Sequence, residues 1–276
     1  MKKTYLAFAF IFCLFTTYAT AENSVTGLMF AFPAEGELLK HKMEIRDSLK
    51  IVSRTFYSGQ LEGKNVVLVE SGVGLVAAAM TTQLLIDQFK PEQILFTGIC
   101  GAVDTDYRIG DIAVPIKWII HDYGYYDSSG FHLAQREGQR FIYFITDPNL
   151  LSAAGIVAKS KSLKLKLIDS RVPQIRISKI GSSGNSFVDQ KEKREWLRNN
   201  AGAEIVDMES AAVVQVANAN NVPVLVIRSC SDLAGGSGSS TAEKELEQFF
   251  KVAADNSAAF LLEVLKKSNE LARSPK

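Results

Sequence analysis

The chain has 276 residues, of which 47% are hydrophobic, and this is enough apolar material to bury one large core or two modest ones. Its 31 basic and 30 acidic residues give a formal charge of +1, so charge provides no basis for binding nucleic acid or an anionic membrane. The three histidines lack the spacing to cysteines or acids that a metal site requires.

The first 21 residues have the features of a cleaved signal peptide. Two lysines near the start precede the almost purely apolar run Tyr5–Tyr18, and Ala19-Thr20-Ala21 provides a cleavage signal ahead of Glu22. The apolar run is short for a membrane span, and no second one follows. The sequence therefore predicts an exported protein, periplasmic or secreted, whose mature chain, residues 22–276, forms a single domain.

Strand-like and helix-like segments alternate along the mature chain. The predicted strands are Val25–Phe32, Val66–Glu70, Gln93–Thr97, Ile112–Ile120, Gln174–Ile180, Glu204–Asp207 and Val222–Ser229. The predicted helices are Leu75–Phe89, Pro148–Ser162, Asp189–Asn199, Ser210–Asn220 and a C-terminal helix with an apolar stripe from Leu246 to Val264. Between residues 121 and 147 the pattern breaks, which indicates a long functional loop or a partner-facing segment. The alternation favours an α/β sheet covered by helices on both faces.

A glycine-rich segment, Ser71–Ala77, lies between a predicted strand and a predicted helix. Its GVGLVA sequence fits the loose dinucleotide pattern G-x-G-x-x-A. The acid expected about 20 residues later is Glu92, which precedes its strand and so cannot reach a ribose at the strand's carboxyl end. The segment therefore predicts a tight glycine turn, and it only weakly supports a nicotinamide site.

Charged residues cluster after two other predicted strands. VDMES contains Asp207 and Glu209, and RSCSD contains Arg228 and Asp232. An isolated acid before a helix is most simply a cap or a partner of the helix dipole. Ligand sites in open α/β sheets, however, gather at the carboxyl ends of strands. We therefore expect these four side chains to converge in one crevice.

The segments VDMESAAV, RSCSDLAG, SGVGLVAAA and TGICGAV together resemble the nucleosidase and nucleoside phosphorylase superfamily. The similarity is greatest to methylthioadenosine/S-adenosylhomocysteine nucleosidases, extends to exported plant bark-storage proteins, and runs from about Gly27 to the last helix. It implies a three-layer α/β/α sandwich with a central mixed sheet, a homodimer, and hydrolysis of a small purine nucleoside without a cofactor.

The resemblance also implies roles for four catalytic residues. Asp232 matches the general acid that protonates N7 of the purine, and Glu35 matches the general base, with Glu37 as the competing acid two residues later. Glu209 matches the acid that binds the ribose hydroxyls. Arg228 matches the cation that holds the acidic cluster and the attacking water.

The same resemblance implies a set of substrate-binding residues. Phe187 is expected to stack on the base, Met208 to form an apolar floor under the sugar, and Ser231 to orient the carboxylate of Asp232. The full predicted binding set is Met208, Phe187, Val188, Ser231, Asp207, Ile99, Cys100 and Gly101. In relatives, the region after residue 118 lies near the 5′ side of the nucleoside and the dimer partner.

Two alternatives to hydrolysis stay open at this point. A phosphorylase of this superfamily carries an arginine and a hydroxyl where this chain has Phe96 and Ile99, and an anion there would be desolvated without partners. A distant arginine such as Arg46 or Arg54 is the remaining route to phosphate. A storage or sensor protein that binds a nucleoside without turnover is the second alternative, which the complete catalytic set disfavours.

The mature chain contains two cysteines, Cys100 and Cys230. Both follow strands that are expected to end near the site, so the two side chains are expected to be neighbours. We expect two free and mostly buried thiols.

Overall fold

Ten strands form one mixed sheet within the residues that the computed structural model describes, namely 24–135, 141–161 and 163–273. The predicted signal peptide lies outside these ranges. The sheet strands are β1 (Val25–Phe30), β2 (Glu44–Ile51), β3 (Arg54–Leu61), β4 (Lys64–Glu70), β5 (Gln93–Ala102), β6 (Ile112–Ile120), β9 (Phe144–Ile145), β10 (Ile175–Ser183), β11 (Ile205–Asp207) and β12 (Val224–Asp232). Two further strands, β7 (Gly124–Asp127) and β8 (Gly130–Leu133), form a separate hairpin.

The strand order gathers several carboxyl ends at one edge of the sheet. The order is β11-β10-β6-β12-β5-β1-β4-β3-β2, with β9 paired to β6. Strands β4, β1, β5 and β12 are parallel neighbours. Strand β11 pairs with β10 and also, antiparallel, with the end of β5 at Val206 and Gly101. This second pairing closes five strands into a ring and sets the end of β11 beside the end of β5.

Helices cover both faces of the sheet. They are α1 (Pro33–Lys42), α2 (Leu75–Phe89), α3 (Pro148–Ala158), α4 (Lys191–Trp196), α5 (Ser210–Ala219) and α6 (Ala242–Arg273). Helices α2 and α5 pack together over one buried core, and α1 and α3 pack against α6 over the other. The predicted three-layer α/β/α sandwich with a central mixed sheet is confirmed. None of these helices, within the described residues, combines the length and apolarity needed to cross a membrane.

Helix α1 and the β2–β3 hairpin are absent from the elements predicted by the sequence. Seven of the eight residues of β2 are exposed, so this strand shows no alternation of buried and exposed side chains. Helix α1 buries only Glu35, Gly36 and Leu39, which is too little for a helical apolar stripe. Both elements are formed by tertiary packing at the edge of the sheet, which periodicity does not detect.

The segment predicted as a loop between residues 121 and 147 contains more regular structure than expected. It forms the β7–β8 hairpin and strand β9, while residues 136–140 lie outside the described part of the chain. Every residue of β7 is exposed, and the hairpin turn relies on Gly130 at φ +118°. The ring of Tyr125 stacks on His132 with centroids 5.0 Å apart. The loop prediction was therefore wrong for this part, because β7 is exposed on both faces and β9 has only two residues, so neither strand shows an alternation in the sequence.

Several predicted boundaries need correction, and two of the corrections affect the site. The helix predicted over Pro148–Ser162 ends at Ala158, and the one predicted over Asp189–Asn199 is α4 followed by a π-helical turn, Leu197–Ala201. The strand predicted to end at Thr97 continues to Ala102 as β5. Strand β12 continues past Ser229 to Asp232.

The glycines of β5 are explained by close neighbours. A Cβ atom on Gly98 would collide with the guanidinium of Arg228, and one on Gly101 would lie 2.9 Å from a carboxylate oxygen of Asp232. These glycines therefore admit functional side chains against the strand instead of turning it. By contrast, the predicted turn at Ser71–Gly74 is confirmed, with φ +76° at Gly72 and +94° at Gly74.

Candidate functional site

A completely buried guanidinium, that of Arg228 in the middle of β12, forms the centre of the site. Its Nε donates to Asp207 Oδ2 at 2.8 Å and to Ser210 Oγ at 3.0 Å. Its Nη1 donates to the carbonyl oxygen of Thr97 at 3.0 Å. The ring of Phe96 lies beneath, 4.0 Å from the guanidinium carbon, and adds a cation–π contact. The cation is thus fixed from three directions.

Two glutamates approach the same guanidinium at slightly longer range. Glu35 Oε1 lies 3.9 Å from Nη1, and Glu209 Oε2 lies 3.8 Å from Nη2. The Nη2 atom is buried and has no hydrogen-bond partner within the described residues. These separations exceed a direct hydrogen bond, but they suit a small polar group bridging the cation and the acids.

Asp207, at the end of β11, uses both carboxylate oxygens within the protein. One oxygen accepts from Ser183 Oγ and from the backbone N–H groups of Glu209 and Ser210, both at 3.2 Å. The other accepts from Ser210 Oγ and from Arg228. These bonds satisfy the first N–H groups of α5 and tie that helix to the buried cation. The geometry makes Asp207 a positioning residue.

Glu209 lies between the buried cation and the glycine turn. Its Oε1 accepts from the N–H of Gly74 at 2.9 Å. The next N–H along the turn, that of Leu75, donates to Asn185 Oδ1 at 3.1 Å, and the N–H of Asn185 donates to Asp122 Oδ2 at 2.8 Å. The turn predicted from GVGLVA thus supports an acid and a neighbouring loop.

Glu35, in the first turn of α1, is held by two backbone N–H groups, those of Ala31 at 2.7 Å and Ile99 at 2.8 Å. The residue is 2% exposed. Glu37 is exposed and pairs with Lys251 at the surface, 3.3 Å away. Of the two acids that competed for this position in the sequence, only Glu35 enters the cluster.

Burial controls the acidity of the cluster. It raises the pKa of Glu35, against the opposing effects of Arg228 and of backbone hydrogen bonds. Burial, with a smaller contribution from Asp207, raises the pKa of Glu209 to about 7, although Arg228 opposes this shift. Burial alone would lower the pKa of Arg228, but the three surrounding carboxylates raise it. The site therefore holds a permanent cation beside Glu209, which can take up a proton near neutral pH.

Asp232 lies apart from this cluster, at a β-bulge that ends β12. Cys230 is opposite Cys100, and Asp232 is opposite Gly101, so Ser231 is the extra residue. The carboxylate accepts from the N–H of Ala234 and from Ser231 Oγ, both at 2.8 Å. Burial raises the pKa of Asp232 to about 7, even though both hydrogen bonds act to lower it. The bulge thus presents a carboxyl group that is half protonated near neutral pH.

A narrow cleft runs in front of Asp232. It is lined by Gly101, Ser186, Phe187, Val188, Val206, Asp207, Met208 and Asp232. Phe187 is 49% exposed at the cleft, whereas Val188 is buried. Of the predicted binding residues, Ser231 supports Asp232 from behind, and the N–H of Ile99 binds Glu35. Cys100 is buried, and its carbonyl oxygen accepts from Ser231 Oγ at 3.3 Å.

Comparison with known proteins shows what this arrangement resembles. Residues 26–266 match the family model described as the phosphorylase superfamily. The chain belongs to the phosphorylase superfamily.

Within this superfamily, the chain is similar to nucleosidases and to a futalosine hydrolase. The chain is 33% identical to the 5′-methylthioadenosine/S-adenosylhomocysteine nucleosidase of Psychromonas ingrahamii over 244 residues, which is 88% of this chain and 99% of the relative. The Neisseria meningitidis enzyme of the same name, solved with methylthio-immucillin-A, superposes with a TM-score of 0.75 and 27% identity over 88% of this chain and 99% of the other. A futalosine hydrolase of Helicobacter pylori superposes with a TM-score of 0.74 and 25% identity over 88% and 97%.

Three serines in this phosphorylase-superfamily site were not among the residues predicted from the sequence. Ser210 bridges Asp207 and Arg228, and Ser183 donates to Asp207 while accepting from the N–H of Ala211. Ser257, on α6, accepts from the N–H of Gly98 at 3.3 Å and donates to the carbonyl oxygen of Ile227. Ser210 directly follows the VDME motif, so its position in the sequence was a signal for a role in the site. Ser257 is distant in sequence from every motif, so no local signal indicates it.

The two cysteines are free and buried, with their Sγ atoms 3.8 Å apart. They face each other across neighbouring strands β5 and β12. Burial and the neighbouring thiol raise the pKa of Cys100 well above its ordinary value, so this group is held as a thiol. Among the described residues, no group of His, Cys, Asp and Glu side chains is arranged to hold a metal ion.

The raised pKa of Asp232 predicts a pH-dependent loss of stability that Asp232→Asn removes. The folded pKa of about 7 exceeds the ordinary value of 3.8, so the contribution of this carboxyl is fully present below pH 4 and is lost as pH rises through 7. Asparagine resembles the protonated acid at every pH. The variant should therefore gain on the order of 2 kcal/mol in free energy of unfolding relative to wild type between pH 5 and pH 8. Urea denaturation of both proteins at the two pH values measures this, and an unchanged difference would contradict the assigned environment.

Proposed function

We propose that this chain is a purine nucleoside N-glycosidase that hydrolyses methylthioadenosine-like or S-adenosylhomocysteine-like nucleosides to adenine and a ribose derivative. The names of the Psychromonas ingrahamii and Neisseria meningitidis relatives support this substrate class. One observation in this chain carries the proposal. The buried carboxyl of Asp232, with a pKa of about 7, faces a cleft that is also lined by Asp207. Asp207 in turn pairs with the Arg228 cation, beside which Glu35 and Glu209 lie.

The first requirement of the reaction is a proton for the departing base, because a purine anion is a poor leaving group. Asp232 supplies it to N7 of the purine, and its raised pKa keeps a substantial fraction protonated near neutral pH. Ser231 and the N–H of Ala234 hold the carboxyl in place. Phe187, at the mouth of the cleft, offers a ring for stacking on the base.

The second requirement is negative charge near the sugar, because departure of the base leaves an oxocarbenium-like cation. Glu209 provides this charge while binding the ribose hydroxyls. Glu35 receives the proton of the attacking water, and Arg228 Nη2 orients that water between the two glutamates. Met208 contributes an apolar surface beneath the sugar.

Water is favoured over phosphate as the nucleophile. Phe96 is fully buried against the guanidinium of Arg228, so the position that carries an arginine in phosphorylases is apolar. Of the two distant arginines, Arg46 is exposed on β2 beside Glu44, at 3.4 Å. Arg54 lies against the Gly72 turn and donates to Thr81 Oγ1 at 3.1 Å. A phosphate dianion next to Glu35 would meet like charge, whereas water would be activated by it.

Release of free adenine tests the activity and the acid together. Wild type incubated with methylthioadenosine, S-adenosylhomocysteine or futalosine should release the base from the adenine nucleosides, as measured by chromatography. Asp232→Asn should still bind methylthioadenosine but lose about 10²–10⁴-fold in kcat, because an amide cannot donate the proton. Asp169→Asn is the matched control, since Asp169 is exposed in a left-handed turn that asparagine also adopts.

Two results would contradict the proposal. A near-normal kcat in Asp232→Asn would remove this residue from the role of general acid. Measurable binding of purine nucleosides by wild type without release of a base would favour the storage or sensor alternative.

A homodimer is the second part of the proposal. Val76 and Val73, at the start of α2, are 79% and 55% exposed, and Tyr126 and Tyr123, around β7, are 80% and 57% exposed. The hydrogen bonds from Leu75 to Asn185 and from Asn185 to Asp122 connect these two groups along one edge of the site. Exposed apolar side chains in one patch are typical of a protein–protein interface.

Light scattering coupled to size-exclusion chromatography tests this assembly. Wild type should elute with the mass of two mature chains, and Val76→Glu should shift it toward the mass of one chain, because the charge would be buried without a partner. Leu49→Glu, on the exposed face of β2, is the control and should leave the mass unchanged. A wild-type mass of one chain at micromolar concentration would contradict the dimer.

Export is the third part of the proposal, and it is supported by the charged, apolar and small-residue pattern of residues 2–21. Full-length protein expressed in a bacterium should be recovered outside the cytoplasm with Glu22 as its first residue. N-terminal sequencing checks this outcome. A mature protein that begins at Met1 in the cytoplasmic fraction would contradict it.

A further inference from the structure

A second cavity, of about 330 Å³, lies outside the cleft described above. Its walls come from the connection between β5 and β6 and from the segment that leads into β10 together with the start of β10, and it shares no lining residue with the cleft. Three arginines line it, Arg108, Arg171 and Arg176. The volume falls at the lower end of the range of small-molecule sites.

One of these arginines is fixed as part of the wall. Arg171 donates to Asp111 Oδ1 and to the carbonyl oxygen of Ile109, both at 2.6 Å. Asp111 is buried and also accepts from the N–H groups of Arg108 at 3.0 Å and Gln174 at 2.8 Å. The carboxylate of Asp111 therefore neutralises Arg171 and joins the β5–β6 connection to the segment that leads into β10.

The other two arginines have no carboxylate partner among the described residues. Arg176 Nη2 donates only to neutral acceptors, the carbonyl oxygen of Asp106 at 3.1 Å and Gln174 Oε1 at 2.9 Å. Its Nε is buried without a hydrogen-bond partner in the described chain, and its guanidinium is held over the ring of Tyr107 at 5.3 Å. The guanidinium of Arg108 is exposed and makes no ion pair within the same residues.

The charge of the cavity is positive. Three arginines face two aspartates, Asp106 and Asp111, which leaves one net positive charge on the lining. An unpaired guanidinium N–H that is buried is costly unless an acceptor reaches it. Planar guanidinium groups bind phosphate oxygens through paired N–H donors, and the hydroxyl of Thr105 and the amide of Gln174 add neutral donors at the rim.

We propose that this cavity is a binding site for a small phosphate-bearing molecule, held by Arg108 and Arg176 and distinct from the nucleoside cleft. Arg171 and Asp111 form its rigid base, and Arg108 closes it from the solvent side. The site does not depend on the proposed nucleosidase activity, since none of its residues belongs to the catalytic cluster.

Isothermal titration calorimetry with inorganic pyrophosphate tests the site at fixed, low ionic strength. Wild type should bind one pyrophosphate per chain, and Arg108→Gln and Arg176→Gln should each weaken the affinity by about tenfold or more. Arg46→Gln removes an exposed arginine on β2 and should leave the affinity unchanged. Arg108 is exposed, so its variant should retain the wild-type unfolding temperature and keep the test valid if Arg176→Gln is unstable.

A competition experiment separates this cavity from the catalytic cleft. In the Asp232→Asn variant, which should bind methylthioadenosine without rapid cleavage, saturating methylthioadenosine should leave pyrophosphate binding unchanged, and inorganic phosphate should compete with pyrophosphate more effectively than malonate does. The proposal would be overturned by any of three results: no binding at millimolar pyrophosphate, binding that survives both arginine substitutions, or displacement of pyrophosphate by methylthioadenosine.

Discussion

The buried guanidinium of Arg228 is the interaction on which the rest of the site depends. A cation with no solvent exposure is stable only if charged and polar partners replace its hydration, and here Asp207, Glu35, Glu209 and the carbonyl oxygen of Thr97 do so. The space that this buried side chain needs also restricts which residues can occupy neighbouring positions. Position 98 must be glycine because the guanidinium occupies the space of a Cβ atom. Removal of Arg228 would leave three buried carboxylates without compensation, so folding and catalysis would fail together.

The structure separates its carboxyl groups into two environments. Glu35, Asp207 and Glu209 surround a cation, while Asp232 stands on a bulge and makes no ion pair among the described residues. Two acids with different surroundings can perform different tasks at the same pH. In the proposed reaction, Asp232 gives a proton to the base on one side of the bond, and Glu35 takes a proton from water on the other. Strand β5 connects both environments, since Gly98 and Ile99 contact the cluster and Gly101 contacts Asp232.

The sequence predicted the layered fold and the convergence of Asp207, Glu209 and Arg228 because both leave local signals. Buried parallel strands read as apolar runs, and VDMES and RSCSD stand where those runs end. Other features depend on packing between distant residues. The burial of Glu35 and exposure of Glu37 follow from the direction of α1, a helix with no apolar stripe. Ser257 reaches Gly98 from the last helix, and β11 pairs with both β10 and β5. The extension of β5 through TGICGA was missed because glycines that admit a side chain resemble glycines that form a turn.

The nature of the sugar product tests the account most directly, because it reports whether the Arg228-centred cluster activates water. Wild type is incubated with methylthioadenosine in buffers with increasing inorganic phosphate, and the quenched products are identified by mass spectrometry. The account predicts one free methylthioribose for each adenine released, at a rate that does not change with phosphate. A sugar 1-phosphate product, formed at a rate that rises in proportion to phosphate, would contradict it.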